Sequence, residues 1–196
     1  MERLAAFSDG VIAIIITIMV LELKVPEIAD VEALRHLIPV FLSYVLSFIY
    51  VAIYWNNHYQ LLRACPSVNG AILWSNAHLL FWLSLIPFAT AWMGENHNAP
   101  VPTAVYGVAL LMPALAWMIL QNAIIRHHGE GAVLAQAVGR DVKGKLSIVA
   151  YISGAALAFV SPLIADAIYA AVAVMWLVPD KRIDNALKQE LSSHHR

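Results

Sequence analysis

The sequence predicts an all-α polytopic membrane protein with six transmembrane helices, and three observations lead there. Of its 196 residues, 61% are hydrophobic and only 13% are charged, against about a quarter charged in an ordinary soluble domain. Uncharged stretches of membrane-spanning length recur from end to end, which a single buried core helix would not produce. The few charges are sorted between alternate connections. A water-soluble enzyme is thereby excluded, and a net charge of −1 offers no basic surface to a nucleic acid. The lone cysteine, Cys65, rules out an intrachain disulfide and a cysteine-built metal cluster.

The first span is expected over residues 6–23. Glu22, Leu23 and Lys24 follow it where a cleavable signal would carry small residues, so this helix is expected to stay in the mature chain. Spans over 37–58, 71–93 and 101–125 come next; Pro87 and Pro113 interrupt the last two, and neighbouring groups can satisfy the carbonyls they free. Residues 146–178 are apolar almost throughout. We divide them into 146–160 and 163–178 at Ser161-Pro162, because proline starts a helix well and continues one poorly. A single tilted helix there would leave five spans.

Charge decides between five and six. With six spans, both termini share a side with the connections 59–70 and 126–145. That side holds Arg3, Arg63, Arg126, Arg140, Lys143, Lys145, Lys181, Arg182, Lys188 and Arg196, whereas the other holds Lys24 and Arg35. Such an excess predicts a multi-pass cell-membrane protein with both ends in the cytoplasm. Glu22, Glu27, Asp30, Glu32 and Glu95 fall near or beyond the opposite surface. Residues 1–180 thus form one membrane domain, and 181–196 a short cytoplasmic tail in which Ile183, Leu187 and Leu191 have amphipathic helical spacing.

On the first helix, Gly10, Ile14, Thr17, Ile18 and Leu21 share one face by the i, i+3, i+4, i+7 rule. Asp9 stands about 140° around from Ile14. Copies of this stripe facing an axis would make apolar rings on either side of a threonine ring, and apolar constrictions gate pores by dewetting. The same stripe also reads as ordinary packing, with the Thr17 hydroxyl bonded to its own helix. Asp9, an intramembrane carboxylate, marks a functional site or a structural ion pair with Arg3.

Arg3, Phe7-Ser8-Asp9-Gly10, Ala13-Ile14 and the run Thr17 to Leu23 closely resemble the transmembrane protein 175 family of potassium channels, found in lysosomes and, as one-repeat forms, in bacteria and archaea. Tyr54-Trp55-Asn56-Asn57-His58 and Trp74-Ser75-Asn76, followed by Leu83 to Thr90, agree as well. The resemblance implies a homotetramer in which four first helices line one pore. It implies constriction by Ile14 and Leu21, joined by Ile18, and potassium preference from a ring of Thr17. It further implies a polar cluster behind the pore helix formed by Arg3, Ser8, Asp9, His58, Trp74 and Asn76. Where relatives often carry two adjacent histidines on the second helix, this chain has His58-Tyr59.

No Thr-Val-Gly-Tyr-Gly string occurs in the sequence, so a carbonyl-cage filter is not expected and any selectivity should be modest. The expected partners are potassium and other monovalent cations, the bilayer and further copies of the chain, with no cofactor or bound metal. A proton-coupled secondary transporter or a proton leak is the alternative, with Asp9, His58, His78 and Asp166 as relay candidates; the internal repeats common in transporters are absent. A metalloenzyme finds no helical ligand spacing, since the adjacent His127 and His128 diverge on a helix. Trp55, Tyr59 and Trp176 suit an interfacial belt.

Overall fold

The computed structural model describes residues 2–26, 30–129 and 141–177, and these form helices with no strand among the described residues. In order they are α1 (Glu2–Leu21), α2 (Val31–His36), α3 (Ile38–Arg63), α4 (Gly70–Leu83), α5 (Ile86–Glu95), α6 (Pro100–His128), α7 (Val142–Leu157) and α8 (Pro162–Leu177). Four stretches are long and apolar enough to cross a membrane: α1, α3, α4 with α5 over Gly70–Glu95, and α6. The chain is therefore a multi-pass membrane protein. The apolar stretch after residue 145 is divided at the proline, with Pro162 as the first residue of α8.

Three local outcomes differ from the sequence expectation. A short helix, α2, forms in the first connection because Asp30 caps it, accepting from the Ala33 N–H at 2.7 Å. The third span is two helices rather than one. Pro87 has no N–H to give the Leu83 carbonyl, and the chain tightens there through a Leu85 N–H bond to the Trp82 carbonyl, with the Ser84 hydroxyl turned back onto Phe81. Pro113, in contrast, leaves α6 a single element of 29 residues. Helix α7 begins four residues before the expected span. Asp141 sets that start, its carboxylate accepting from the Gly144 N–H at 3.2 Å. The tail 181–196, with Ile183, Leu187 and Leu191, lies outside the described residues.

Helix α1 packs on α3, α4 and α5, while α6 packs on α4, α5, α7 and α8. Two cores result. One is aliphatic, joining Leu4, Ile12, Ile15 and Met19 of α1 to residues of α3 through α6 such as Val51, Leu79, Ile86 and Leu120. The other sets Tyr50, Tyr106, Tyr151 and Tyr169 among small residues including Ala89, Ala109, Ala158 and Ala165. The aliphatic core is the bed on which α1 lies, so it decides which face of that helix is left uncovered.

Candidate pore-lining helix and its polar support

The buried residues of α1 are Leu4, Ser8, Ile12, Ile15 and Met19, a run of three- and four-residue steps that marks a single helical face. The period then turns Gly10, Ile14, Thr17, Ile18 and Leu21 away from the subunit. Ile14 is 58% exposed, Ile18 41% and Leu21 79%, and nothing lies within 4 Å of a Cβ built on Gly10. The Thr17 hydroxyl donates to the Ile14 carbonyl at 2.9 Å. Its one proton is used inside the helix, and its oxygen accepts no hydrogen bond among the described residues.

The buried face carries a chain of hydrogen bonds across three helices. His58 on α3 lies 2.7 Å from Asn76 Oδ1 on α4. Asn76 Nδ2 donates to the Ser8 hydroxyl at 2.9 Å, and Ser8 donates to the Leu4 carbonyl at 2.9 Å. The direction of each link fixes the next, so the His58 Nε2 must carry the proton given to Asn76. Ser8, His58 and Asn76 are at most 2% exposed, and every bond in the chain is between groups that would be costly to bury unpaired. This clamp sets the rotation of α1, because turning the helix would leave an amide and an imidazole without partners.

The other residues of the expected cluster take no part in that chain of bonds. Asp9 accepts from the Trp55 indole N–H at 3.0 Å, which holds its carboxylate beside α3 rather than on the face of Ile14 and Leu21. Trp74 is 79% exposed. Arg3 is exposed and has no hydrogen-bond or ionic partner among the described residues. Within one subunit, then, the clamp joins three of the six. Trp55 was not singled out as the partner of Asp9 from sequence; the available signal was its three-residue spacing from His58, which puts both on one side of α3.

Beyond the end of α1, Lys24 pairs with Glu95 at the end of α5. The hydrogen bond and charge of Glu95 hold the ammonium above the usual lysine range. The four relay candidates of a transporter are not bonded into a relay: His78 accepts from Trp82 on its own helix at 2.8 Å, Asp166 lies on α8, and no hydrogen bond joins any two of Asp9, His58, His78 and Asp166 among the described residues.

The geometry can be set against known proteins. A family described as endosomal/lysosomal potassium channel TMEM175 matches residues 3–87, a stretch that includes every residue of α1's outward face and of the clamp. A potassium channel of Chryseobacterium sp. (strain P1-3) is 54% identical over 187 residues, covering 95% of this chain and 97% of its own. The chain belongs to the TMEM175 family. The crystal structure of a lysosomal potassium-selective channel TMEM175 homologue from Chamaesiphon minutus shares the fold at a TM-score of 0.79 and 28% identity, over 91% of this chain and 97% of that one. The endosomal/lysosomal proton channel TMEM175 of Danio rerio is 25% identical over 133 residues, 65% of this chain but 25% of the fish protein. TMEM175 proteins are ion channels, not enzymes.

Proposed function

We propose that this chain is the subunit of a potassium-preferring cation channel, a homotetramer in which four α1 helices surround one pore. The observation that carries the reading is the uncovered face of α1: branched apolar residues at 14, 18 and 21, with a single hydroxyl, Thr17, among them. Ile14 and Leu21 are about 10 Å apart along the axis, so four copies would make two apolar rings that close the pore by dewetting. Thr17 lies between them. Its proton goes to the Ile14 carbonyl, so four threonine oxygens would offer lone pairs to a partly dehydrated cation at one level. The potassium channel named in Chryseobacterium and the potassium-selective structure from Chamaesiphon support potassium as the ion. The excess of Lys and Arg on one side supports cytoplasmic termini and six crossings.

The likeness to the proton channel of Danio rerio favours a second reading, in which protons use the same pore. One set of measurements separates the two: flux of potassium, sodium and protons through purified protein in liposomes, with bi-ionic reversal potentials. Thr17→Val keeps the branched shape and should lower the potassium-over-sodium permeability ratio by about fivefold, the worth of one polar contact of ~1 kcal/mol. Ile14→Ser and Leu21→Ser should raise cation flux by wetting the rings. An unchanged ratio in Thr17→Val sinks the threonine ring, unchanged flux in both serine variants moves the gate to another helix, and proton flux without potassium flux replaces the first reading with the second.

A further inference from the structure

Where α4 begins and α6 ends, the two helices part to leave a crevice of about 510 Å³. Helix α6 lines it with Ile119, Asn122, Ala123 and Arg126, the i, i+3, i+4, i+7 spacing that places all four on one stripe. The stripe changes character along its length. Ile119 is exposed and apolar, Asn122 is an exposed amide one turn on, and Arg126 is an exposed guanidinium a further turn towards the helix end; the whole gradient takes about 10 Å. Helix α4 answers with Ala71 and Ser75, and their small side chains make the opening.

Among the described residues the charge in this crevice is of one sign: no carboxylate lines it, and Arg126 has no hydrogen-bond, ionic or ring partner. His127, at its rim, adds no free donor: its Nδ1 accepts from the Asn69 amide at 3.1 Å and its Nε2 lies 3.1 Å from the Ser67 hydroxyl. The Asn69 oxygen is itself committed to the Ile72 N–H, which fixes the amide's orientation and leaves the imidazole Nδ1 as acceptor. The guanidinium and the Asn122 amide are thus the groups free to bind.

We infer that this crevice binds one anionic phospholipid, with Arg126 and Asn122 on its phosphate and an acyl chain along Ile119. The occupant follows from the surroundings. A membrane protein's crevice at a helix end meets lipid headgroups, an uncompensated guanidinium favours an anionic one, and the bidentate geometry of arginine suits phosphate oxygens. The adjoining apolar surface of Ile119 distinguishes a lipid from a free anion, which would use only the polar end. The site stands apart from α1, so it holds or fails independently of the pore assignment.

Native mass spectrometry of the purified protein, titrated with phosphatidylglycerol, phosphatidylcholine or inorganic phosphate, tests the inference. The wild-type protein should retain phosphatidylglycerol over phosphatidylcholine, and Arg126→Gln should reduce that retention by about fivefold, the surface worth of one basic side chain. Arg126→Lys should keep part of it. Ser75→Leu fills the crevice without touching its charge and should block the lipid as well, which preserves the test if Arg126→Gln does not fold. Equal phosphatidylglycerol retention in wild type and Ser75→Leu overturns the site; inorganic phosphate displacing the lipid at equal concentration overturns its assignment to a lipid.

Discussion

Around α1 the subunit packs leucine, isoleucine and methionine, whereas around α7 and α8 it packs tyrosine against alanine and glycine. The first kind of contact is non-directional, because apolar burial scales with area and tolerates small rotations and slides. The second is pinned. Tyr50 donates to the Tyr169 carbonyl at 2.6 Å, the Tyr106 hydroxyl meets the Ser47 hydroxyl at 2.9 Å, and Trp176 donates to Ser147 at 2.8 Å. Each such bond holds only one register between two helices. The difference assigns labour: α3 and α6 to α8 form a frame whose geometry is over-determined, while α1 rests on a smooth bed and is oriented by one short polar chain and two lateral pairs. Turning a helix held this way means breaking that one polar chain, which leaves an amide and an imidazole unpaired.

The comparison breaks most visibly at Tyr169, which is fully buried and lies over two glycines; a Cβ at Gly154 would stand 2.5 Å from its Cε1. Tyr169→Ala should cost about 3–5 kcal/mol by leaving a cavity, seen as a collapse of the thermal midpoint in detergent. Tyr169→Phe, which loses only the 3.3 Å bond to the Thr103 carbonyl, should cost about 1 kcal/mol. Similar costs for the two would mean that the hydroxyl, and not the ring, fills the role. The clamp on α1 comes next. Asn76→Leu strands the His58 imidazole and removes the bond that the Ser8 hydroxyl accepts, and should cost about 1–3 kcal/mol, with a change in cation flux that Tyr169→Phe does not produce. Wild-type flux in Asn76→Leu would show that the bed alone orients α1.

The smallest effect belongs to the Lys24–Glu95 pair, which is exposed and screened by water. Its sign is definite. Because Glu95 raises the Lys24 ammonium above its usual range, any stability from the lysine is present in full at neutral pH and is lost only as pH climbs past that raised value. Lys24→Met should therefore lower the thermal midpoint only slightly, and by the same amount at every pH from about 6 to 9. A difference between the two proteins that changes across that window would overturn the sign, and a large constant one would show that the pair does more than its exposure allows.

Helical period carried much of this subunit from the sequence. It identified the face of α1 that the structure leaves uncovered, since Gly10, Ile14, Thr17, Ile18 and Leu21 share a side whatever that side meets. Proline chemistry located the start of α8. Period also limits the expected polar cluster: Trp74 precedes Asn76 by two residues, a separation of about 200° on a helix, so the two could not face one partner on the same subunit. What period cannot give is the neighbour. That Asp9 meets Trp55, and that Asn76 stands between His58 and Ser8, depends on how α3 and α4 are docked beside α1, and these contacts span 46, 18 and 68 residues of chain. The α4–α5 break shows another limit. Pro87 and Pro113 read alike in sequence, yet one stands in the first turn of a new helix and the other lies inside an unbroken one.

Helix α7 is bounded at both ends, by the Asp141 cap and by Ala158, and its 16 residues reach about 24 Å at 1.5 Å each. Its packing partner α6, at 29 residues, reaches about 43 Å. The hydrocarbon layer is about 30 Å deep, so under the proposed six crossings one neighbour would be too short for it and the other too long. Lipid touching α7 would then have to thin while lipid touching α6 would be met by tilt, at a fraction of a kcal/mol per Å of misfit. A bilayer of short acyl chains would relieve the first strain and a thick one the second, so that membrane thickness would act on the frame unevenly along its edge.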